Sequence, residues 1–505
     1  MSTAAAAPRY LDYAATTPVD PAVAAAMSGC LTLGGDFANP SSTHAPGMRA
    51  AARIEAARAQ VAALIGAAPD EIVFTSGATE SDNLALLGVA RANADRGRHV
   101  VSARTEHKAV LDPCKRLEKE GFSVTYLSPS RSGVIEPEAF AAALRPDTVL
   151  ASIMYVNNEI GVLQDVAALG ALCRERGIAF HSDCAQAAGK VPLDVHALPV
   201  DFVSVTAHKL YGPKGVGALY VRRGAKGLLQ PLLYGGGQER SLRPGTLATH
   251  QIVGFGVACE IAARELPREA PRLTALRERL WQSLSQLGGV HLNGAGAPRA
   301  PGILNASFEA VEGESLVSGL TGLAVSTGAA CNSATPDPSY VLRALGRDTQ
   351  LAQSSLRFSL GRFSTESDVE FAAEAVRVEV RRLRALSPAG GAGGEDFGAW
   401  QGGGGATLVS GEGGGPGQET WVRFHLAVAG DTVKEARFQA FGCPHTIDTA
   451  TWLCGELRGR SRAALIPGTP ASWAAKRGVP AEKLGRLLVV EDALRACLQA
   501  WAPRR

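Results

Sequence analysis

Lys209 is the residue of this chain whose setting best suits covalent chemistry. It follows a run of apolar residues, stands beside His208, and precedes Gly212 and Gly215. A lysine amine that is partly removed from water has a lowered pKa and becomes nucleophilic enough to form a Schiff base. The segment 204–215 therefore predicts a lysine that holds an aldehyde cofactor. A surface lysine in a glycine turn is the alternative, and only the rest of the chain decides between them.

Other residues have the chemistry to bind and tune such a cofactor. Asp183 ends an apolar run, and open α/β sheets bind their ligands at the carboxyl ends of the strands. A carboxylate there could keep the ring nitrogen of pyridoxal phosphate protonated, so that the ring withdraws electrons. Gln186 could donate a hydrogen bond to the phenolic oxygen of that cofactor. His107 follows another apolar strand, at 99–102, and could stack on the ring and move protons.

A phosphate site is predicted around Gly77. Residues 71–84 indicate a strand, a turn at Gly77 and a helix that begins near Thr79. The N–H groups at a helix start carry partial positive charge and suit an anion. We expect a cradle completed by the side chains of Thr79, Thr206, Thr246 and His208, and Asn158 as a neutral partner of the cofactor.

Six ordered segments between about Tyr10 and Ser387 resemble the NifS/IscS-type cysteine desulfurases of the class V aminotransferase family. They span residues 10–18, 74–83, 105–111, 156–161, 208–215 and 338–346. The resemblance implies a fold-type I pyridoxal phosphate enzyme, with a large doubly wound α/β domain and a small α+β domain. It also implies a homodimer that takes sulfur from L-cysteine.

The resemblance gives each matching residue a role. It implies that Lys209 forms the Schiff base, that Asp183 and Gln186 tune the cofactor, and that His107 stacks and transfers protons. The implied phosphate contacts are Ala78, Thr79, Thr206 and His208, with Thr246 supplied by the second subunit. The implied substrate contacts are Arg357, whose guanidinium grips a carboxylate, and the nearby residues Asn39 and Asn158. Small departures at Thr206, Ala207 and Cys184 remove no functional group that the site needs.

Cys331 is the second decisive residue. Small, polar and proline residues surround it, which favours a loop over packed core. In the family that the chain resembles, the matching cysteine attacks the substrate thiol and becomes a persulfide, and alanine is released. Four other cysteines lie in helical or apolar settings and are expected to be buried and unreactive: Cys30, Cys114, Cys173 and Cys259.

Composition limits the possible partners. The 505 residues are 46% hydrophobic and carry a net charge of +3, so nothing demands nucleic acid or an anionic membrane. No apolar run is long enough to span a bilayer, and no leader pattern opens the chain. Nine cysteines without framework spacing fit a reducing compartment. We therefore expect a cytoplasmic protein.

The chain is predicted to have three parts. Residues 1–387 form the desulfurase, with a large domain at about 16–260 and a small domain made of 1–15 and 261–387. The active site is expected between these domains and at the dimer interface. Residues 388–418 are rich in glycine and are predicted to be a flexible linker that spans roughly 30 Å.

Residues 419–505 are predicted to be a second small domain. Hairpin strands are expected at 421–428 and 435–441, with helices at 446–458 and 491–501. This tail resembles the U-type, or IscU-like, scaffolds on which iron–sulfur clusters are built, and more distantly the SufE-like single-cysteine sulfur acceptors. Only Cys443 of the scaffold ligands remains, because Gln418, Gly485 and Arg486 stand near the other positions. We therefore expect no metal site.

Several functions stay open at this stage. The leading prediction is an L-cysteine desulfurase that feeds iron–sulfur assembly, thio-cofactor synthesis or tRNA thiolation through sulfur-acceptor or scaffold proteins. A selenocysteine lyase and a catalytically idle adaptor are the alternatives. The tail could accept persulfide sulfur on Cys443, dock partners without sulfur transfer, or be a remnant.

Overall fold

The computed structural model describes residues 7–327, 338–387, 406–415 and 419–501. Its strands are β1 (Arg9–Tyr10), β2 (Ile72–Thr75), β3 (His99–Ala103), β4 (Ser123–Leu127), β5 (Thr148–Ser152), β6 (Ala179–Asp183), β7 (Phe202–Thr206), β8 (Gly217–Val221), β9 (Val290–Leu292), β10 (Ile303–Phe308), β11 (Leu323–Ala324), β12 (Ser326–Thr327), β13 (Ser355–Ser359), β14 (Thr407–Gly414), β15 (Trp421–Ala429) and β16 (Thr432–Phe441). Its helices are α1 (Pro21–Ser28), α2 (Ala45–Ile65), α3 (Ala78–Ala92), α4 (Lys108–Lys119), α5 (Pro137–Ala143), α6 (Val166–Glu175), α7 (Thr249–Ser285), α8 (Gly313–Gly319), α9 (Tyr340–Ala344), α10 (Thr349–Gln353), α11 (Glu366–Leu386), α12 (Pro444–Leu457), α13 (Pro470–Arg477) and α14 (Leu484–Ala500).

The large domain is built on a seven-stranded sheet in the order β2-β8-β7-β6-β5-β3-β4. The strands from β7 to β4 are parallel, and β8 runs antiparallel to both of its neighbours. Most of these strands are buried along their whole length, because helices cover both faces of a doubly wound sheet. The predicted α/β fold of this domain is confirmed.

Local capping explains where the helix α2 begins and ends. The observed α2 begins after His44, whose ring accepts a hydrogen bond from the backbone of Gly47, and it ends before Gly66. Gly66 has φ of 71°, and a Cβ there would lie 2.5 Å from a carboxylate oxygen of Asp194. Glycine is therefore needed both for the left-handed turn and for the close approach.

The small domain contains an antiparallel sheet in the order β12-β13-β10-β9. The strand β1, near the start of the chain, pairs with β11 in parallel. The predicted domain boundary at about residue 261 does not coincide with the end of a helix or strand. It falls inside α7, a continuous helix of 37 residues that packs on α2 at one end and on α11 at the other. Neither α7 nor any other helix in the described residues has the length and hydropathy that crossing a bilayer requires.

The tail begins earlier than predicted. The strand β14 lies within the predicted linker 388–418 and pairs with β15 along its whole length, which gives an antiparallel sheet in the order β14-β15-β16. The glycines suggested a linker, but Gly411 and Gly413 face α14 at very short range. The strands β15 and β16 and the helix α12 lie within a few residues of their predicted bounds. The helix α14 starts earlier than predicted, at Leu484, and the helix α13 was not predicted.

The tail packs on the small domain. The Ser315 hydroxyl of α8 donates a hydrogen bond to the carbonyl of Gly442 at 2.8 Å, and Lys483 lies 2.7 Å from Glu314. Buried apolar side chains of the small domain and the tail form one continuous cluster. A buried polar contact inside a shared apolar cluster indicates a specific docked arrangement.

Replacing Gly411 with alanine should destabilise the tail. The new Cβ would lie 2.1 Å from the backbone nitrogen of Cys497 in α14. Because overpacking typically costs 1–3 kcal/mol, we expect a loss of about 2 kcal/mol in the free energy of unfolding, measured by pulse proteolysis of the tail in urea. The control is Gly485→Ala, where no described atom would lie within 4 Å of the new Cβ. Equal stability of the two variants would show that β14 does not pack on α14.

Candidate active site

The predicted site residues converge on one cavity of about 510 Å³. It opens at the carboxyl ends of β6 and β7, where the rule for open α/β sheets places a ligand, and the small domain closes one side. The predicted residues that line it are Ala78, Thr79, His107, Asn158, Asp183, Gln186, Thr206, His208, Lys209 and Arg357. Residues far apart in the chain are thus brought together as expected.

The Lys209 amine is held at the cavity wall. Lys209 ends a short turn after β7, and its Nζ donates hydrogen bonds to the carbonyls of Ala14 at 2.6 Å and Ala15 at 2.7 Å. These carbonyls orient the amine toward the cavity before any covalent bond forms. The position fits a lysine that binds an aldehyde cofactor.

Asp183 fits the ring nitrogen of that cofactor. The side chain is buried at the end of β6, and one carboxylate oxygen accepts the backbone N–H of Ala185 at 2.9 Å. Burial, and then the negative charge of Asp82, raise the pKa of Asp183 to about 6. A protonated ring nitrogen would relieve this unfavourable burial of negative charge, so the donor chemistry matches pyridoxal phosphate.

The opposite end of the cavity suits a phosphate. The helix α3 starts directly after Gly77, so its first N–H groups face the cavity. Burial, and then the charges of Lys209 and Lys214, lower the pKa of His208 to about 4, so its ring is neutral near pH 7. The His208 Nδ1 lies 3.1 Å from the hydroxyl of Thr16.

His107 caps the next helix. Its Nδ1 accepts a hydrogen bond from the backbone of Ala109 at 3.1 Å, at the start of α4. An imidazole that accepts through Nδ1 carries its proton on Nε2. The cap therefore sets both the ring orientation and the tautomer of the predicted acid–base residue.

Arg357 is poised for a carboxylate. It is buried in β13, where Nη2 lies 2.8 Å from the Asp12 carboxylate and Nη1 donates to the Asn158 carbonyl at 3.0 Å. Among the described residues, neither Arg357 Nε nor the buried Asn158 Oδ1 has a hydrogen-bond partner. Buried polar atoms without partners at a cavity indicate that a ligand completes them.

Several residues that line or adjoin the site were not predicted from the sequence, among them three with ionisable side chains. Asp82 and Lys214 line the cavity, and Glu106 is fully buried beside His107. Glu106 accepts the backbone N–H of Met154 at 2.9 Å, and burial raises its pKa well above the usual value. Lys214 follows Pro213 in the motif around Lys209, so its place in the motif was the available clue.

Two predicted residues lie elsewhere. Thr246 and Asn39 are exposed and are not part of the cavity that the described residues form. Exposure of Thr246 is compatible with its predicted role toward a second subunit, which stays a prediction. Cys331 lies outside the described residues. The nearest described strand before it is β12, whose Ser326 pairs with Arg357 of β13.

The cysteines that were expected to be unreactive are buried. Burial raises the pKa of Cys114 and of Cys173 to about 12, and Cys30 and Cys259 are buried as well. Cys443 lies at the strand–helix junction before α12, as expected, but its side chain is also fully buried. Its sulfur lies 3.5 Å from the hydroxyl of Thr446.

The doubly wound domain, the lysine after β7 and the buried Asp183 define a pyridoxal phosphate enzyme of fold type I. The class-V aminotransferase family matches residues 9–371. Cysteine desulfurase IscS of Pectobacterium atrosepticum is 56% identical over 382 residues, which cover 75% of this chain and 95% of that protein. The chain therefore belongs to the class-V aminotransferase family, among the IscS-type cysteine desulfurases.

Solved structures agree with this assignment. A NifS-like protein has 36% identity and a TM-score of 0.68, covering 74% of this chain and 98% of its own. SspA, in complex with cysteine, has 38% identity and a TM-score of 0.63, covering 71% of this chain and all of its own. Pyridoxal phosphate is the cofactor of this enzyme class, and the cavity residues fit it.

Binding of pyridoxal phosphate to the cofactor-free protein should weaken as the pH falls through about 6. Protonation of Asp183 removes the charge that attracts the ring nitrogen, and its pKa is about 6. Because Asp82 contributes to that raised pKa, Asp82→Asn should shift the midpoint to lower pH. Titration of the cofactor between pH 5 and 8 measures both midpoints. The phosphate of the cofactor titrates equally in both proteins, so an unchanged midpoint in the variant would contradict this electrostatic account.

Proposed function

We propose that this chain removes sulfur from L-cysteine, releases L-alanine and carries the sulfur as a persulfide on Cys331. The observation that supports this most strongly is the meeting of Lys209, Asp183, His107 and Arg357 in one cavity. These four supply a covalent anchor, a ring partner, a proton carrier and a carboxylate receptor. An idle adaptor would have no need of all four together.

The proposed reaction balances without an external oxidant. The Cys331 thiolate attacks the substrate sulfur, so a sulfur–sulfur bond forms and the carbon–sulfur bond breaks. The electron pair of the broken bond stays on the carbon, which takes a proton and becomes the methyl group of alanine. The enzyme sulfur is oxidised to the persulfide level while that carbon is reduced.

The chain's own residues bind the substrate and move its protons. The Arg357 guanidinium receives the substrate carboxylate in exchange for its contact with Asp12. His107, fixed by its cap on α4, holds a transferable proton on Nε2. Pyridoxal phosphate supplies the electron sink when it is bound.

A second copy of this chain is the expected structural partner. Among the described residues, the two most exposed large apolar side chains are Leu33 at 88% and Tyr234 at 83%, in two separate segments. These segments lie close in sequence to Asn39 and Thr246, two predicted site residues that lie outside the cavity formed by the described residues. A homodimer would cover the apolar side chains and could bring Thr246 to a neighbouring site. We propose this dimer in the cytoplasm, with sulfur-acceptor or iron–sulfur scaffold proteins as recipients.

The tail is proposed to be an IscU/SufE-like docking module. A three-stranded antiparallel sheet covered by helices supports that fold, and Cys443 at the start of α12 matches the position of a scaffold cysteine. In the docked arrangement the Cys443 thiol has no exposed surface. Burial favours a docking role over acceptance of sulfur, because a persulfide donor must reach the thiol.

Persulfide mapping tests the reaction and the tail together. After L-cysteine is added to the holoenzyme, mass spectrometry should find sulfane sulfur on Cys331 and not on Cys443. Cys331→Ser should abolish the persulfide without loss of bound cofactor. Sulfur on Cys443 that depends on Cys331 would instead establish a relay. No persulfide in the cofactor-loaded wild type would contradict the proposed function, and faster turnover of selenocysteine would favour a lyase.

Opening the interface should expose Cys443. Ser315→Leu would place a larger side chain against Gly442, so we expect alkylation of Cys443 by iodoacetamide to become at least about tenfold faster, which corresponds to about 1.4 kcal/mol. Peptide-level mass spectrometry separates Cys443 from Cys454. The control is Ser318→Leu, on the exposed face of the same helix, which should match the wild type. Equal rates in all three proteins would contradict the docked arrangement.

A further inference from the structure

Lys190 makes a contact that no step above uses. Its Nζ donates a hydrogen bond to Oε1 of Gln186 at 2.6 Å. Gly189, with φ of 69°, turns the chain so that Lys190 lies back against Gln186. Lys190 lines a small enclosed cavity of about 40 Å³, whereas Gln186 lines the large one. The hydrogen bond therefore runs between the two cavities.

The amide nitrogen of Gln186 also makes a hydrogen bond. Its Nε2 donates a hydrogen bond to the carbonyl of Ala14 at 2.8 Å. A carbonyl oxygen only accepts, and the Lys190 amine only donates when it is protonated, that is, below its pKa of about 7. A flipped amide would set NH₂ against the Lys190 ammonium and oxygen against the Ala14 carbonyl. The observed orientation is the one in which both contacts are made.

This orientation decides what Gln186 offers to the cofactor. An amide nitrogen carries two hydrogens, and Ala14 takes one of them. The second is left for an acceptor in the large cavity, such as the phenolic oxygen of pyridoxal phosphate. A flipped amide would present only lone pairs to that oxygen, which is repulsive.

Burial of the Lys190 amine lowers the stability of the folded protein. Burial, and then the charges of Lys209 and Arg357, lower the pKa of Lys190 to about 7. The folded state therefore disfavours the charge that an unfolded lysine carries at neutral pH, and an apolar side chain of similar length should fold at least as well. Charged groups held at such a cost are typical of functional sites.

We propose that Lys190 is a positioning residue that fixes the side-chain amide of Gln186 with Nε2 toward the cofactor. The inference rests on the cofactor assignment of the proposed function, and it adds a residue for which the sequence analysis predicted no role. Lys190 acts through Gln186 and makes no contact with the cofactor in this account.

A double-mutant cycle on cofactor binding tests the proposal. Cofactor-free wild type, Lys190→Met, Gln186→Leu and the double variant are titrated with pyridoxal phosphate, and the dissociation constant and visible absorption maximum are recorded. We expect Lys190→Met to weaken binding about three- to tenfold, the range of one hydrogen bond, and to shift the absorption band. In the Gln186→Leu background the same substitution should change the constant by less than about twofold.

Two further variants complete the test. Lys190→Arg keeps a donor for Gln186 and should bind the cofactor within about twofold of the wild type, whereas Lys226→Met, on the surface, controls for loss of a lysine. An equal effect of Lys190→Met with and without Gln186 would overturn the proposal, and so would wild-type binding by Lys190→Met. If Lys190→Met does not fold, weak binding by folded Lys190→Arg overturns it. A wild type that binds no cofactor would overturn the proposed function as well.

Discussion

Residues 9–17, near the start of the chain, contact both domains and fix their relative positions around the site. Within this stretch, Arg9 and Tyr10 pair with β11 of the small domain, and the carboxylate of Asp12 binds the guanidinium of Arg357. Two residues further on, the carbonyl of Ala14 accepts hydrogen bonds from both Lys209 and Gln186 of the large domain. Each bond removes a polar group from water, so losing one partner would leave the other buried at a cost of about 1–3 kcal/mol. The amine, the amide and the guanidinium are therefore positioned by a common backbone.

A second constraint secures the phosphate end. Glu239 and its two following residues have positive φ values, which is costly for residues with a Cβ. The conformation persists because Glu239 is buried against Arg58 in a two-pronged ion pair and also accepts the backbone N–H of Phe74 in β2. The strand β2 lies at the edge of the sheet and leads directly to Gly77. The strained loop thus satisfies a backbone N–H at the edge of the sheet and fixes the strand that leads to Gly77, where a phosphate is proposed to bind.

Local sequence patterns predicted much of this site. Lys209, Asp183 and Gly77 each lie at or just after the carboxyl end of a buried strand. Parallel strands bring their carboxyl ends to one edge of a sheet, so the meeting of these residues follows from the fold class. Other features depend on contacts that no local pattern reveals. The carboxylate of Asp82 faces the cavity from α3, although nothing in the sequence of that helix indicates a functional residue at this position. The helix α7 continues through the predicted domain boundary. The left-handed loop at Glu239 follows from a partner, Arg58, that is distant in sequence.

A glycine-rich segment can be either a flexible linker or a strand that packs closely against a helix, and composition alone does not distinguish the two. In a linker, glycine contributes no side chain that could be buried, so the segment does not form a core. At Gly411, the absence of a side chain lets the backbone of α14 approach β14 at a distance where any Cβ would collide. In the resulting packed tail, the carbonyl of Gly442 accepts a hydrogen bond from α8. The helix α8 contacts β12, and β12 pairs with β13 at Arg357. The docked tail is therefore joined through packed elements to the strand that carries Arg357, the proposed receptor of the substrate carboxylate. Because packed elements shift together, release of the tail and the setting of Arg357 are expected to be coupled.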